Sequence, residues 1–193
     1  MNFHAEYVPR RDGPAGRAKE QSRRLPDAAM GDSGAGGARN CVPRKPRLND
    51  LLGTACGRGH MSVALAGYFR TVTSSDVFDY GFGQVADFLK SNHAEGSRDW
   101  VITNPPFRLG EEFIGRAMKI ARHGVAMLSR TVFIESVGRY ERIFKTNPPS
   151  RFAQFTERVP MVKGRVDKKA STATGYAWLI WEKDRLGKGC ELV

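Results

Sequence analysis

The run Trp100-Val101-Ile102-Thr103 constrains this chain more than any other segment. It is a short apolar stretch bounded by turn residues, the pattern of a strand buried on both faces of a parallel sheet. Such strands need helices above and below, so the rest of the chain must supply them. The next four residues are Asn104-Pro105-Pro106-Phe107. This tetrapeptide therefore occupies the loop at a strand's carboxyl end, where open α/β sheets bind ligands. Two consecutive prolines fix the backbone and remove two N–H donors. The Asn104 amide oxygen and the Pro105 carbonyl remain as acceptors for a planar amino group. Phe107 offers a face for stacking on a base or amide plane. A rigid Pro-Pro turn without chemistry would have the same composition. The chain contains such a control in Asn147-Pro148-Pro149-Ser150, which comes after a helix-like stretch, lacks a preceding strand and ends in serine. It reads as a plain turn.

The surrounding pattern is an alternation of strands and helices. A short strand ends near Ala55, and a helix follows over residues 60–68 with Met61, Ala64, Leu65 and Tyr68 on one face. A second strand covers residues 71–75 and ends at Asp76, and a third strand or turn lies around residues 86–89. The strand 100–103 comes fourth, followed by an amphipathic helix over 110–122 with Phe113, Ala117, Met118 and Ile120 towards the core. A fifth strand spans 124–128, residues 131–145 read as largely helical, and 152–159 and 172–181 read as two final strands. This order predicts a doubly wound, mostly parallel sheet of the seven-stranded type with helices on both faces. Residues 1–48 are rich in Gly, Arg, Pro, Ala and Asp and lack either periodicity. They read as a disordered or weakly ordered basic tail, with one folded domain over 49–193.

Charge narrows the partners. The chain of 193 residues has a formal net charge of +11 and a pI near 10.0. Residues 1–50 carry 10 basic and 6 acidic side chains, and residues 51–193 carry 21 and 14. The folded part thus holds most of the excess, which suits an acidic polymer such as DNA, or simply a solubilising surface. Cys41, Cys56 and Cys190 are too scattered for a disulfide framework, and His4, His60, His93 and His123 form no metal-ligand spacing. No apolar run approaches membrane-spanning length and no secretory core opens the chain, so a cytoplasmic location is expected.

Two further loops fit a ligand site. Ala55-Cys56-Gly57-Arg58-Gly59-His60 joins the first strand to a helix. Glycines there let backbone approach a ligand closely, although an ordinary strand–helix turn also uses them. The spacing lacks the third glycine of a dinucleotide fingerprint. Asp76 ends the second strand 17 positions after Gly59, where a carboxylate can accept ribose hydroxyls or simply cap a turn. Val77 and Phe78 stand beside it. Asp87-Phe88 falls at the third-strand position and is compatible with a surface Asp beside a core Phe.

Taken in order, these segments resemble the class I S-adenosylmethionine-dependent amino-methyltransferases, which modify adenine N6 or cytosine N4 in DNA, or a glutamine amide in protein. A strand ending in Asn/Asp-Pro-Pro-Tyr/Phe is their catalytic signature, and their cofactor loop is similar to Ala55-Cys56-Gly57-Arg58-Gly59. The resemblance implies that Asn104, Pro105, Pro106 and Phe107 are catalytic. It implies cofactor contacts from Ala55, Cys56, Gly57, Gly59, Asp76, Val77, Asp87 and Phe88, with Asp87 on the adenine amino group and Phe88 packing on the ring. S-adenosylmethionine is the implied cofactor and no metal is required. Gly53 and Thr54 replace the acidic residue and proline that usually precede the loop, and the family's N-terminal lid helix is not recognisable in the tail. Residues 129–144 and the C-terminal run from Arg158 to Trp181 resemble small phage and prophage methyltransferases. Between the last two strands Lys163, Arg165, Lys168 and Lys169 form a basic loop that either contacts phosphates or is a solvated hairpin. The expectation is DNA adenine N6 methylation. Glutamine-amide methylation and a non-catalytic DNA-binding remnant are the rivals.

Overall fold

The computed structural model describes residues 49–156, 161–162, 165–166 and 175–193. The amino-terminal tail, Lys163, Lys168 and Lys169 lie outside the described residues. Ten strands are seen: β1 (Asp50–Thr54), β2 (Thr71–Asp76), β3 (Gln84–Val85), β4 (Arg98–Thr103), β5 (Ala121–Arg130), β6 (Arg151–Gln154), β7 (Met161–Val162), β8 (Arg165–Val166), β9 (Tyr176–Glu182) and β10 (Glu191–Leu192). Eight form one sheet in the order β10-β6-β9-β5-β4-β1-β2-β3, and β7 pairs with β8 separately. All neighbours in the large sheet are parallel except those of β9, which runs antiparallel to β5 and β6. The expected doubly wound sheet is therefore present, with an eighth strand added by the carboxyl terminus.

Period-two alternation divides the core into two layers. Leu52, Val101, Val125, Met127, Leu179 and Trp181 point to one face and pack under helix α2 (Gly110–Ile120) through Phe113, Ile114, Ala117 and Ile120. Leu51, Trp100, Ile102, Ala126, Leu128, Trp178 and Ile180 point to the other, where helix α1 (His60–Leu65) contributes Leu65 and the following turn Phe69. No helix among the described residues is long and apolar enough to cross a membrane.

Several boundaries differ from the sequence expectation. The helix expected over 60–68 stops at Leu65, leaving Tyr68 exposed. The strand or turn expected around residues 86–89 resolves to a 3-10 turn, Phe88–Lys90, capped by the Asp87 carboxylate, which accepts from the Leu89 N–H at 3.0 Å, and the third strand precedes it at Gln84–Val85. Residues 131–145 are not one helix. A 3-10 turn (Thr131–Ile134) breaks at Ser136, which caps a single α turn, α3 (Val137–Arg139), running into a π turn (Tyr140–Phe144). The strand expected over 152–159 ends at Gln154, and the described part of the last long strand begins at Tyr176. The second Asn-Pro-Pro is a turn, with the Asn147 carbonyl accepting from the Trp181 indole at 2.9 Å.

Gly124 shows how tightly the sheet is filled. A Cβ there would stand 2.6 Å from the Trp100 ring and 2.7 Å from the Trp181 carbonyl. Neither the indole, which is 3 % exposed, nor backbone can yield. Gly124→Ala is expected to destabilise the fold by about 1–3 kcal/mol, the usual cost of overpacking, measurable by urea unfolding.

Candidate active site

The sheet's strand order reverses at β1, which is flanked by β2 and β4, and the loops at the carboxyl ends of these strands splay apart there. A cavity of ≈ 570 Å³ opens at this point. Its first half is lined by Ala55 and Gly57 after β1, Asp76–Tyr80 (Asp79 excepted) after β2, and Ala86–Leu89 after β3. Its second half is lined by Asn104–Phe107 after β4, Leu109 and Phe113 of the following segment, Arg130 at the end of β5 and Tyr176 at the start of β9. One volume thus gathers Asn104, Pro105, Pro106, Phe107, Ala55, Gly57, Asp76, Val77, Asp87 and Phe88, all predicted from sequence. Cys56 and Gly59 do not line it.

The β1 loop is held by side-chain chemistry. Ala55 (φ 51°), Gly57 (φ 52°) and Gly59 (φ 83°) all adopt left-handed backbone. Only glycine does so without cost, so Ala55 carries local strain at the cavity wall. A Cβ on Gly59 would lie 2.4 Å from the Phe82 ring, so this glycine lets the loop close on that ring. A Cβ on Gly57 would meet nothing within 4 Å, so Gly57 leaves open space on the cavity side. Asp76, 9 % exposed, ties the loop to β2. One carboxylate oxygen accepts from the Gly57 N–H at 2.8 Å and the other from the Phe78 N–H at 3.1 Å. Two lone-pair positions on that carboxylate are still unspent. Cys56 points its thiol at the Phe82 carbonyl (3.7 Å), and burial together with the Asp76 charge pushes its pKa up. Both causes favour the neutral thiol, which packs inside the loop.

Gly53 and Thr54, which stand at the departures from the family pattern, serve the sheet. Gly53 packs against Ser62, and the Thr54 carbonyl accepts from the buried Thr103 hydroxyl at 2.7 Å. That bond fixes the end of β1 against the end of β4, and so the glycine loop against Asn104.

Beyond Thr103 the backbone leaves the sheet. Pro105 is buried, Asn104 is half-buried, and Pro106 begins a 3-10 turn over Phe107–Leu109, closed by the Leu109 N–H on the Pro106 carbonyl at 2.9 Å. Among the described residues, neither the Asn104 amide nor the Pro105 carbonyl has a hydrogen-bond partner, although both residues line the cavity. Polar groups placed this way in a protein wall are normally spent, so these two are available to a ligand.

The remaining walls are apolar. Val77 and Phe78 are 53 % and 57 % exposed and line the first half, where exposed apolar surface favours a planar ligand. Phe88 lines the cavity from below and belongs to the core, its ring 5.0 Å from that of Phe113. Asp87, besides capping its turn, lies 3.5 Å from the Lys90 ammonium. Phe107 is half-buried. The Arg130 guanidinium lies over its ring at 4.5 Å and the Tyr176 ring stands 6.2 Å away. One face of Phe107 is therefore taken. Tyr176 and Arg130 are cavity residues that the motifs do not assign. Their signal is the antiparallel register of β5 and β9, which sets them side by side. Of the predicted basic loop, Arg165 lies in β8 and the three lysines are outside the described residues.

The wall behind α2 is set by ion pairs. Glu111 in the first turn of α2 pairs with Arg142 (2.8 Å) and Arg139 (3.3 Å), and Arg139 also lies over the Phe133 ring at 4.4 Å. The hydrogen bond from Arg142 chiefly holds the Glu111 carboxyl below its ordinary value of 4.5. A depressed folded-state pKa gives stability that is present above the unfolded value and lost as pH falls through the folded one. Acidification below about 4.5 is therefore expected to weaken the tie of Arg139 and Arg142 to Glu111, while Phe133 and Ile143 keep residues 131–144 in the core. Glu111→Gln should remove this acid-dependent part, as read by the pH profile of amide exchange in that segment.

No protein-family model matches the chain, and no curated protein matches it in sequence. Solved structures do match in shape. A geranyl diphosphate C-methyltransferase from Streptomyces coelicolor A3(2), crystallised with Mg2+, geranyl diphosphate and S-adenosyl-L-homocysteine, superposes with a TM-score of 0.55 at 10% identity, over 86% of this chain and 79% of that one. A proposed RNA methyltransferase from Pyrococcus horikoshii gives 0.53 at 14% identity, over 86% and 84%. A predicted O-methyltransferase from Agrobacterium tumefaciens gives 0.50 at 14% identity, over 79% and 81%. These likenesses concern architecture, and with the β1 switch point and the antiparallel strand β9 of the large sheet they establish that the chain has the class I, Rossmann-like methyltransferase fold.

Proposed function

We propose that this protein transfers the methyl group of S-adenosylmethionine to an exocyclic amino group, and that the acceptor is adenine N6 in DNA. The observation that carries this reading is the pair of unspent acceptors, the Asn104 amide oxygen and the Pro105 carbonyl, on the wall of a cavity large enough for two ligands' reactive ends. The chemical need is specific. An exocyclic amine is a poor nucleophile because its lone pair is conjugated with the ring. Two acceptors on its hydrogens favour a pyramidal nitrogen, an interaction that strengthens as attack proceeds. Phe107, which lines the cavity, would keep the acceptor plane at near-attack geometry. The nitrogen–carbon bond would form as the methyl's bond to sulfur breaks, the electron pair staying on sulfur, and the nitrogen would release one proton to solvent.

The first half of the cavity suits the cofactor. S-adenosylmethionine supplies a methyl on sulfonium, so the leaving group is already activated and no metal is needed. Gly57 leaves room for its amino-acid end, the unspent Asp76 lone pairs suit ribose hydroxyls, and Val77, Phe78 and Leu89 give apolar walls for a purine. The Streptomyces structural neighbour was crystallised with the demethylated product of this cofactor, which supports the assignment. For an adenine inside a duplex the base must leave the stack, at a cost of roughly a few kcal/mol. The charge of +11 favours a polyanion over a peptide as the molecule that meets this cost.

The test is transfer of labelled methyl from S-adenosylmethionine to unmethylated duplex DNA, with a glutamine-containing peptide in parallel. Label recovered as N6-methyladenine is the expected result. Label on the peptide amide alone would assign the same chemistry to protein. DNA binding without label on either acceptor would leave a non-catalytic remnant.

A further inference from the structure

Away from the cavity most arginines of this fold are spent, Arg58 and Arg98 excepted. Arg70 pairs with Asp50 at 2.8 Å and Arg122 with Asp99 at 2.6 Å, both at the amino-terminal side of the sheet. Arg139 and Arg142 share Glu111, and Arg151 and Arg185 share Glu182 and Glu191. Arg116 is taken up by the carbonyls of Ser91 and His93. Around Phe107 this pattern stops. Arg108, the next residue in the chain, and Arg130, in the cavity wall, are both exposed. Neither side chain has an ion pair or a hydrogen bond with any described residue.

Arg130 is held all the same. Its guanidinium lies over the Phe107 ring, 4.5 Å from the centroid, and its backbone is locked opposite Tyr176 in the β5–β9 ladder. An arginine positioned by stacking keeps its N–H fork free for a bidentate acceptor and loses little entropy on using it. The cavity's carboxylates do not compete, because Asp76 and Asp87 line its other half and already accept from the backbone N–H groups of Gly57, Phe78 and Leu89. A positioned, uncompensated guanidinium within one side chain of the amine acceptors calls for an anion attached to the acceptor molecule.

We infer that Arg130, backed by Phe107 and flanked by Arg108, binds the phosphate next to the acceptor nucleotide, so that the substrate is a nucleotide within a polynucleotide chain and not a free base or a protein amide. This rests on the reading of Asn104–Phe107 as the acceptor side of the cavity. It also gives Phe107 two duties. Its ring carries the arginine and also lines the cavity, so a single side chain would register phosphate and base. A protein amide brings no anion to this position.

The experiment is equilibrium binding of a fluorescein-labelled short DNA duplex to the full chain, by anisotropy, from about 50 to 200 mM salt. Wild type is compared with Arg130→Gln and Arg130→Lys, with the thermal midpoint of each as the fold control. Arg130→Gln is expected to lower the slope of log affinity against log salt by about 0.9, the value of one phosphate contact on duplex DNA, while Arg130→Lys retains it. An RNA duplex of the same sequence in a second arm shows whether the phosphate may come from either polymer. An unchanged slope in Arg130→Gln, or absence of duplex binding by wild type, overturns the inference. The outcome is separable from methyl transfer. A slope that falls in Arg130→Gln without methyl incorporation by wild type supports the phosphate site and sinks the proposed reaction. DNA methylation with an unchanged slope does the reverse.

Discussion

Asn104→Ala is expected to reduce methyl incorporation by about a hundredfold or more while leaving the thermal midpoint within a degree or two of wild type. The two halves of this expectation have separate origins. Asn104 is half-buried and makes no hydrogen bond with the described residues, so its truncation strands no partner in the fold. Its amide oxygen is one of two acceptors offered to the amine, and removing one preorganised transition-state contact of this kind typically costs 10²–10³ in rate. The loss should fall on kcat and kcat/KM together, because the contact strengthens as the nitrogen pyramidalises. Asn104→Asp is the informative companion. It keeps the acceptor oxygen, and so should retain far more activity than alanine. Equal loss in both variants would mean that this oxygen does not act on the amine.

Asp76→Ala carries the second large effect, with the opposite distribution. This carboxylate is buried, and through the Gly57 and Phe78 N–H groups it joins the β1 glycine loop to the end of β2, beside the Cys56 N–H bond to the Ser75 carbonyl at 3.0 Å. Hydrogen bonds to a charged group contribute about 1.5–3 kcal/mol each, and the abandoned N–H groups then carry a desolvation penalty. A loss of about 2–4 kcal/mol in stability is expected from urea unfolding. Affinity for S-adenosylhomocysteine, measured by calorimetry at a temperature where the variant is folded, should drop at least tenfold, because Ala55 and Gly57 are no longer held in left-handed backbone. Asp76→Asn should recover part of the stability and less of the affinity. Its amide offers one acceptor oxygen where the carboxylate offers two. A variant that unfolds more easily but binds S-adenosylhomocysteine as tightly as wild type would restrict Asp76 to a structural role.

How much of this is legible in the sequence depends on where the information is local. Strands β1, β4 and β5 carry short apolar runs and β2 a β-branched one, and these patterns place them within a few residues of their observed ends. The strand or turn expected at residues 86–89 is a capped turn that drops Phe88 into the core, while the third strand is the two exposed residues just before it. Residues 131–145 have helical composition, but Ser136 caps a new turn in their middle and the Glu111 pairs pull Arg139 and Arg142 towards α2. Tertiary contacts override propensity there. Strand β10 is two residues long and exists because β6 offers an edge.

The site divides in the same way. Asn104–Phe107, Ala55, Gly57, Asp76 and Asp87 lie at strand ends, so the order of motifs along the chain is enough to place them together. Arg130 and Tyr176 enter only as members of resembling stretches, with no role attached. They are 46 positions apart and meet only because β9 runs antiparallel to β5. No window of sequence contains that fact. Cys56 and Gly59 show the converse. They sit inside a motif, yet the fold uses Gly59 to admit Phe82 and Cys56 to pack against the same loop.

The central claim is that one cavity joins a cofactor half to an acceptor half. A crystal structure with S-adenosylhomocysteine tests it most directly. The account predicts the ligand between the Gly57 loop and Phe78, its ribose on Asp76 and its sulfur facing Asn104. Binding elsewhere on the molecule, or a cavity that stays empty at saturating ligand while the protein is folded, would contradict it.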